Sequence, residues 1–353
     1  MLTPTSPSHA TIADVARRAG VSIATVSRVI NQAGPVAEAT AARVQAAVAE
    51  LNYVPRAAAR SLASRRTNTL GLLLPEISGY FFPPLLRGIE AGARENGFDL
   101  LIYSTQGRAD AASGLRRPRA EHNTDGLLIF TDSLDEAELV RLYHIRFPMV
   151  LLHRSSPDGL DIPCVTFENK AGSRKLVEHL IEIHRYRRIA FLRGPAGNED
   201  SHWREIGYRE ALAAHSIPFD PALVDAGGFD EDEAQLPVER WLREHLEMEA
   251  IFAGDDEAAL GAMIALQRSG KRVPEDVAVV GFDDGPISHH LASVPLTTVR
   301  APIEQAGLEA ARQLVRLIRT GQADPLVLLP TELVVRQSCG CQSGTQMNAD
   351  ERG

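Results

Sequence analysis

Ile12, Val15, Ala16 and Ala19 recur at i, i+3, i+4 and i+7, the single apolar stripe of a short helix. Thr11 stands where an N-cap hydroxyl belongs, and Asp14 three residues later completes the pattern of a capping box. Gly20 follows the stripe, where a left-handed turn costs glycine least. Ser22 can cap a second helix whose Val26, Val29 and Ile30 turn toward the first. Val44, Ala47, Val48 and Leu51 repeat the helical spacing and end at Asn52. Two short helices joined by a glycine turn have the geometry of a helix-turn-helix, which presents its second helix to the DNA major groove. Two ordinary packed helices would show the same stripes.

From Leu70 the pattern changes. Residues 70–74, 100–104, 126–130, 149–153, 188–192, 250–254 and 277–282 are near-continuous apolar runs, as in strands buried on both faces. Helical stretches at 83–96, 170–184, 204–215, 256–269 and 302–319 lie between them, and that alternation implies parallel sheets. So many strands exceed one modest doubly wound sheet, and two lobes are expected. No P-loop lysine motif, post-strand G-x-G-x-x-G, G-x-S-x-G elbow or H-E-x-x-H is present, which argues against the commonest enzyme classes. Ligands of open α/β sheets bind outside the carboxyl ends of strands. Those ends carry Phe81-Phe82, Trp203-Arg204 (expected to open a helix), Phe229, Asp255-Asp256 and Phe282-Asp283-Asp284.

At 353 residues, with 44% hydrophobic and 24% charged positions, the chain is long enough for a small module and a two-lobed one. Its net charge of −9 divides unevenly: in residues 1–70 eight arginines face Asp14, Glu38 and Glu50, giving +5 and leaving −14 for the remainder. A basic module on an acidic body concentrates attraction for phosphate at one end. There is no run of about 18 apolar residues to span a membrane. The opening MLTPTSPSHA lacks the charged and apolar regions of a signal peptide, so a cytoplasmic, nucleoid-associated protein is expected. Cys164, Cys339 and Cys341 are too few for a disulfide framework. Cys339 and Cys341 form a C-x-C with no second ligand pair nearby in sequence; no metal site and no cofactor are expected.

The segments TIADVARRAGVSIATVSRVIN, LNYVP…ARSLASRRT, LGLLLPEIS, DGLLIF, RIAFLRGP, VPEDVAVVGFDD, PLTTVRAPI and PTELVVRQSCG follow one another from about residue 11 to 340. In that order they resemble the LacI-type family of bacterial transcription regulators. The resemblance implies an all-α helix-turn-helix headpiece plus an α/β periplasmic-binding-protein-like core of two doubly wound subdomains. The expected divisions are a disordered tail (1–10), the headpiece (11–54), a hinge helix and linker (55–69), the core (70–340) and a second tail (341–353). Subdomain one takes about 70–168 and 300–326, and subdomain two 169–299 and 327–340, with crossings near 168, 299 and 327.

The resemblance also places DNA contacts. Ile23, Ala24 and Arg28 are expected to read bases, with Arg28 able to pair bidentately with guanine and the two apolar side chains limited to contacts such as a thymine methyl. Ser22, Thr25 and Ser27 can position on phosphate, or simply cap the helix, and Asn31 shares their exposed face. Around Arg56–Ala63, a helix too short to be stable alone is implied to form against DNA and a dimer mate. Arg56, Ala59 and Arg60 would lie against DNA there, and Leu62 would wedge into the minor groove. The implied partners are a near-palindromic double-stranded operator, a second copy of the chain and a small effector.

For that effector the family pattern points to Phe82, Arg204 (in R-x-x-G-Y), Phe229, Asp255 (in FAGDD) and Asp283 (in GFDD), with Trp203 beside them. Charged groups for hydroxyls and aromatic faces for C–H surface suit a sugar or sugar phosphate. Purine-binding relatives carry arginine at the position of Asn198. Asp256, and less so Asp255, could instead cap a helix, and Arg204 could form a surface ion pair. The chain departs from the family pattern at Arg56, at Gly107, Gly114 and Pro118, at His153-Arg154 and at His184-Arg185-Tyr186. A solute-binding module without DNA binding, and a carboxylate-pair hydrolase, are the rival readings.

Overall fold

Asp14 N donates to Thr11 Oγ1 and Thr11 N to Asp14 Oδ2, closing the capping box on α1 (Ile12–Ala19), and Gly20 ends the helix at φ 64°. Thr25 N donates to Ser22 Oγ at 3.1 Å and starts α2 (Ile23–Asn31). With α3 (Glu38–Glu50) these helices close over Val15, Ala16, Ala19, Val26, Val44 and Ala47. Thr11→Ala should cost about 1 kcal/mol of local stability. That loss would appear as a roughly fivefold fall in hydrogen-exchange protection of the α1 amides, about the change that 1 kcal/mol represents.

The computed structural model describes residues 10–31, 34–53, 66–75, 77–105 and 120–342, and the chain divides into two units, 1–67 and 68–353. The expected hinge residues Arg56, Ala59, Arg60 and Leu62, and the expected break at Gly107–Pro118, lie outside the described residues.

The second unit holds two six-stranded sheets. Lobe one uses β1 (Thr69–Leu74), β2 (Asp99–Ser104), β3 (Gly126–Phe130), β4 (Met149–Leu152) and β5 (Cys164–Phe167). Its helices are α4 (Phe82–Glu95) and α5 (Glu136–His144). Lobe two begins at α6 (Asn169–His184) and alternates β6 (Ile189–Arg193), α7 (Glu199–Ala214), β7 (Val224–Ala226), α8 (Glu231–Arg243), β8 (Ala250–Ala253), α9 (Asp256–Arg268), β9 (Ala278–Asp283) and β10 (Thr297–Arg300). The chain then returns to lobe one for α10 (Ile303–Thr320), packed on α4, and β11 (Leu326–Leu329), and ends in lobe two with β12 (Glu332–Val334).

The sheet orders are β11-β5-β4-β3-β1-β2 and β12-β10-β9-β8-β6-β7, and every pairing is parallel except β10 with β12. Parallel strands need helical crossovers on the faces, so the central strands are buried on both sides. Leu70, Leu72, Leu128 and Val150 in lobe one, and Phe191, Ile251 and Val279 in lobe two, are accordingly sealed from solvent.

Two boundaries differ from the sequence reading, while the crossing expected near 299 falls within a residue of that position. The second crossing follows Arg300, because β10 keeps pairing with β9 as far as Arg300–Asp283. The third lies beyond Leu329 rather than at 327, because β11 pairs with β5 through Leu329–Phe167. The C-terminal segment remains packed past 340: Cys339 is buried and Cys341 half-buried against lobe two. No helix among the described residues is long and apolar enough to cross a membrane.

Candidate nucleic-acid interface and effector cleft

On α2, Val26 is buried while Ile23, Ala24 and Arg28 face outward; Ile23 is 51% exposed. A large aliphatic side chain held in water on a short helix of a small module marks a contact surface. Ser22 and Thr25 hydroxyls bond each other at 2.9 Å, so part of their hydrogen-bonding capacity serves the cap. Ser27 is half-buried, and the backbone of Asn31 closes α2.

In the second unit the carboxyl ends of the two sheets meet around Arg204, which is 2% exposed. Its Nε donates to Asn169 Oδ1 at 2.9 Å, one terminal nitrogen donates to Gly254 O at 2.5 Å, and the other reaches Asp283 Oδ1 at 3.5 Å. The guanidinium lies over Phe282, 3.9 Å from the ring centre, with Phe229 at 5.2 Å on the left-handed turn after β7. Asn169 also donates to Asp200 Oδ1 at 2.8 Å. His153, which follows β4 in lobe one, donates from Nδ1 to Asp200 Oδ2 at 3.0 Å across the gap between lobes. Nε2 of His153 is buried without a hydrogen-bond partner. Phe81 and Phe167 meet that imidazole edge to face and Phe130 meets it tilted, while Phe82 packs edge to face on Phe81 and Phe130.

Two further bridges join the lobes. Ser155 donates through N and Oγ to Glu199 on α7, and Tyr80 N donates to Glu257 Oε1 on α9 at 2.7 Å. Beside the cluster a cavity of about 690 Å³ lies between Tyr80–Arg87 of lobe one and Asp283–Ile287 of lobe two. Of the expected effector residues, Asp283 lines it.

Charge around Arg204 is unbalanced. Burial, against the pull of Arg204, pushes Asp283 up to about 8. Burial, reinforced by Asp283, raises Asp255 well above the usual carboxylate range. Burial also pushes Asp256 up to about 8, although Thr298 Oγ1 and Gly285 N both donate to it. Burial opposes ionisation of Asp200 too, yet His153, Arg204 and Asn169 outweigh it and hold that carboxyl below its ordinary value. One guanidinium therefore serves Asp200, Asp255 and Asp283, and burial favours the protonated form of Asp283 and of the neighbouring Asp256 near neutrality.

The structure thus gathers Arg204, Asp283, Phe229 and, at the start of α9, Asp255. Phe82 joins from lobe one through Phe130 and His153. Trp203 is not brought in: it is 40% exposed and bonds Glu199. The pair Trp203-Arg204 does not open a helix either, because α7 starts at Glu199 under an Asn198 cap. Arg204 is not a surface ion pair. The capping alternative is reversed: Asp255 accepts from Ala258 N as the cap of α9, and Asp256 turns to Thr298. Sequence reasoning missed Asn169 and Asp200, although Asp200 stands one helical turn before Arg204 on the same face.

A helix-turn-helix unit with an exposed second helix, carried on a two-lobed core of the periplasmic-binding-protein kind, defines the class. The profile described as bacterial regulatory proteins, lacI family, matches residues 11–56, and that of a periplasmic binding protein-like domain matches 177–339. The chain is 37% identical over 330 residues to the ribose operon repressor of Halalkalibacterium halodurans, covering 93% of this chain and 96% of that one. It is 36% identical to the HTH-type transcriptional regulator CelR of Thermobifida fusca, covering 93% and 98%. The solved lac repressor dimer bound to operator and the anti-inducer ONPF superposes with a TM-score of 0.80 at 29% identity, covering 94% and 99%. The chain belongs to the LacI family of bacterial transcription regulators, and members of that family are regulators rather than enzymes.

Proposed function

We propose that this regulator is a dimeric repressor whose operator affinity is set by a neutral sugar bound between the lobes. The observation that carries this reading is the Arg204 cluster, in which a lobe-one imidazole bonds a lobe-two carboxylate inside an aromatic shell. A ligand that enters such a seam changes the balance between open and closed lobes by its differential affinity for the two. Linkage then couples effector and DNA affinities reciprocally, typically by about 1–3 kcal/mol. The excess of carboxylates favours a ligand rich in hydroxyl donors and disfavours a phosphate, which narrows the earlier expectation of a sugar or sugar phosphate to a sugar. The solved CelR–cellobiose complex, 34% identical with a TM-score of 0.69, is consistent with that choice.

On the DNA side, Ile23, Ala24 and Arg28 read bases of a near-palindromic operator, and the protein works at the nucleoid in the cytoplasm. Ser22, Thr25, Ser27 and Asn31 flank that contact. Operator selection from a random duplex library at fixed salt, with and without a sugar panel, tests the proposal. Enrichment of a palindrome whose retention changes with one sugar supports it. Failure to enrich any sequence would leave a solute-binding module. Arg28→Ala should lower affinity for the selected site roughly five- to 150-fold, equivalent to about 1–3 kcal/mol, and relax preference at the guanine it contacts. Competition with single-base operator variants reads that change directly.

A further inference from the structure

The C-x-C at Cys339–Cys341 does have a second ligand pair, and it comes from α6. Nε2 of His179 lies 3.7 Å from Sγ of both cysteines, and Nε2 of His184 lies 3.3 Å from Sγ of Cys341. The four donor atoms fall within 4.8 Å of one another. We propose that His179, His184, Cys339 and Cys341 form a closed, four-ligand structural site for zinc or a similarly thiophilic divalent cation.

The geometry fits that ion. Bonds of about 2.3 Å to sulfur and 2.0–2.1 Å to nitrogen give a tetrahedron whose sulfur–nitrogen edges are about 3.6 Å. The three sulfur–nitrogen separations, 3.3, 3.7 and 3.7 Å, bracket that edge. No carboxylate belongs to the set: the nearby Glu182 pairs with His215 at 3.1 Å. Sulfur and imidazole donors without oxygen select soft or borderline ions over magnesium or calcium. Binding releases two thiol protons to solvent and leaves two thiolates and two neutral imidazoles around a dication, a neutral assembly suited to a largely buried place.

The surroundings are built to orient these ligands. Thr297 Oγ1 donates to Cys339 Sγ at 3.2 Å, the kind of second-layer hydrogen bond that tunes a thiolate. Tyr186 stacks on His184 with ring centres 5.3 Å apart, and its hydroxyl donates to Cys339 O at 3.3 Å. Gly340 takes φ 105°, and a Cβ there would lie 3.3 Å from the His184 ring and the Tyr186 hydroxyl. That glycine lets the two flanking sulfurs converge on one point. His184 and Tyr186 are among the residues that depart from the family pattern, so the departure and the C-x-C find one explanation together. The ion would staple the end of the chain to α6 within lobe two, away from the Arg204 cluster.

The test uses the full chain, purified without a polyhistidine tag, reduced and handled anaerobically, loaded with zinc and desalted. One equivalent of zinc per chain is expected. Cobalt(II) in its place should show thiolate-to-metal charge transfer and the intense visible bands of a tetrahedral ion, a readout that needs no variant. Cys341→Ser and His184→Gln should each weaken zinc binding by more than about 100-fold, because even second-layer losses cost 10–100-fold. Cys164→Ser, altering the thiol in lobe one, should leave binding unchanged. Three results would overturn the proposal: substoichiometric zinc, a cobalt spectrum without thiolate charge transfer, or unchanged affinity in Cys341→Ser. A Cys339–Cys341 disulfide whose reduced form also fails to retain zinc would do the same.

Discussion

Arg204→Met should destabilise the second unit by about 3–5 kcal/mol and abolish the effector response, the largest effect expected of any single substitution in the cleft. Methionine retains much of the side chain's length and its packing over Phe282, so the loss isolates the guanidinium. Without that cation the Gly254 carbonyl and the Asn169 amide oxygen lose buried donors, and each orphaned acceptor costs about 1–3 kcal/mol. Asp283 also loses its guanidinium neighbour. Asp200 can take up a proton, and Asp256 and Asp283 already hold theirs near neutrality, which is why the expected cost stays within the range for breaking one buried pair. Arg204→Lys should recover part of the stability but little of the response, because an ammonium cannot span Asn169, Gly254 and Asp283 as the planar fork does. Urea unfolding gives the first quantity and sugar-dependent release from the selected operator the second. A stability change under about 1 kcal/mol would mean that Arg204 behaves as an exposed ion pair does.

The headpiece was legible because its determinants are local: Thr11 and Asp14 cap within one turn, and each stripe lies on one short helix. Most strands were legible for the same reason, as apolar runs of a fixed length; β5, four residues long and interior to its sheet, was not. The edge strand β2 was read as well, and other short elements were missed. β7, β10 and β12 are three or four residues long, and two of them edge their sheet. α8 carries Pro237 in its interior, which removes a backbone donor from the ladder and disguises the helix. β11 was not among the expected runs; its partner β5 lies some 160 residues earlier in the chain, and pairing assigns it to lobe one.

The cleft divides along the same line. Arg204, Asp255 and Asp283 follow strand ends and could be placed by rule. Asn169 and Asp200 meet by the packing of α6 on α7 within lobe two, and His153 reaches Asp200 from lobe one; these pairings join residues 31 to 47 positions apart, which no local pattern encodes. The Cys–His cluster repeats the lesson, since its halves stand more than 150 residues apart.

Between pH 6.5 and 8 the unliganded protein should lose stability by several kcal/mol, the reverse of the behaviour of surface carboxylates. Asp256 and Asp283 are raised from 3.8 to about 8 by burial. A carboxyl whose folded value exceeds its unfolded value stays protonated in the native chain while the unfolded chain has released its proton. Its stabilising contribution is therefore complete below about pH 4 and is lost as pH rises through about 8. Each such group gives a slope of about 1.4 kcal/mol per pH unit, so two of them over this window remove on the order of 4 kcal/mol. Asp200 and Asp284 are lowered, so their contribution is lost in acid, below the window. His179, lowered to about 4, and His184, also lowered, act between their folded values and about 6.5, where native stability rises with pH; the interval above 6.5 is free of them. Asp283→Asn, an amide shaped like the protonated acid, should remove about 1.4 kcal/mol per pH unit from the slope, matching the wild-type chain near pH 4 and exceeding its stability at pH 6.5 by about 3–4 kcal/mol. Urea midpoints across the window test this. A flat profile in the wild-type chain would mean that Arg204 and solvent at the exposed edge of Asp283 keep the carboxylates ionised, and that the cleft receives its ligand already charged.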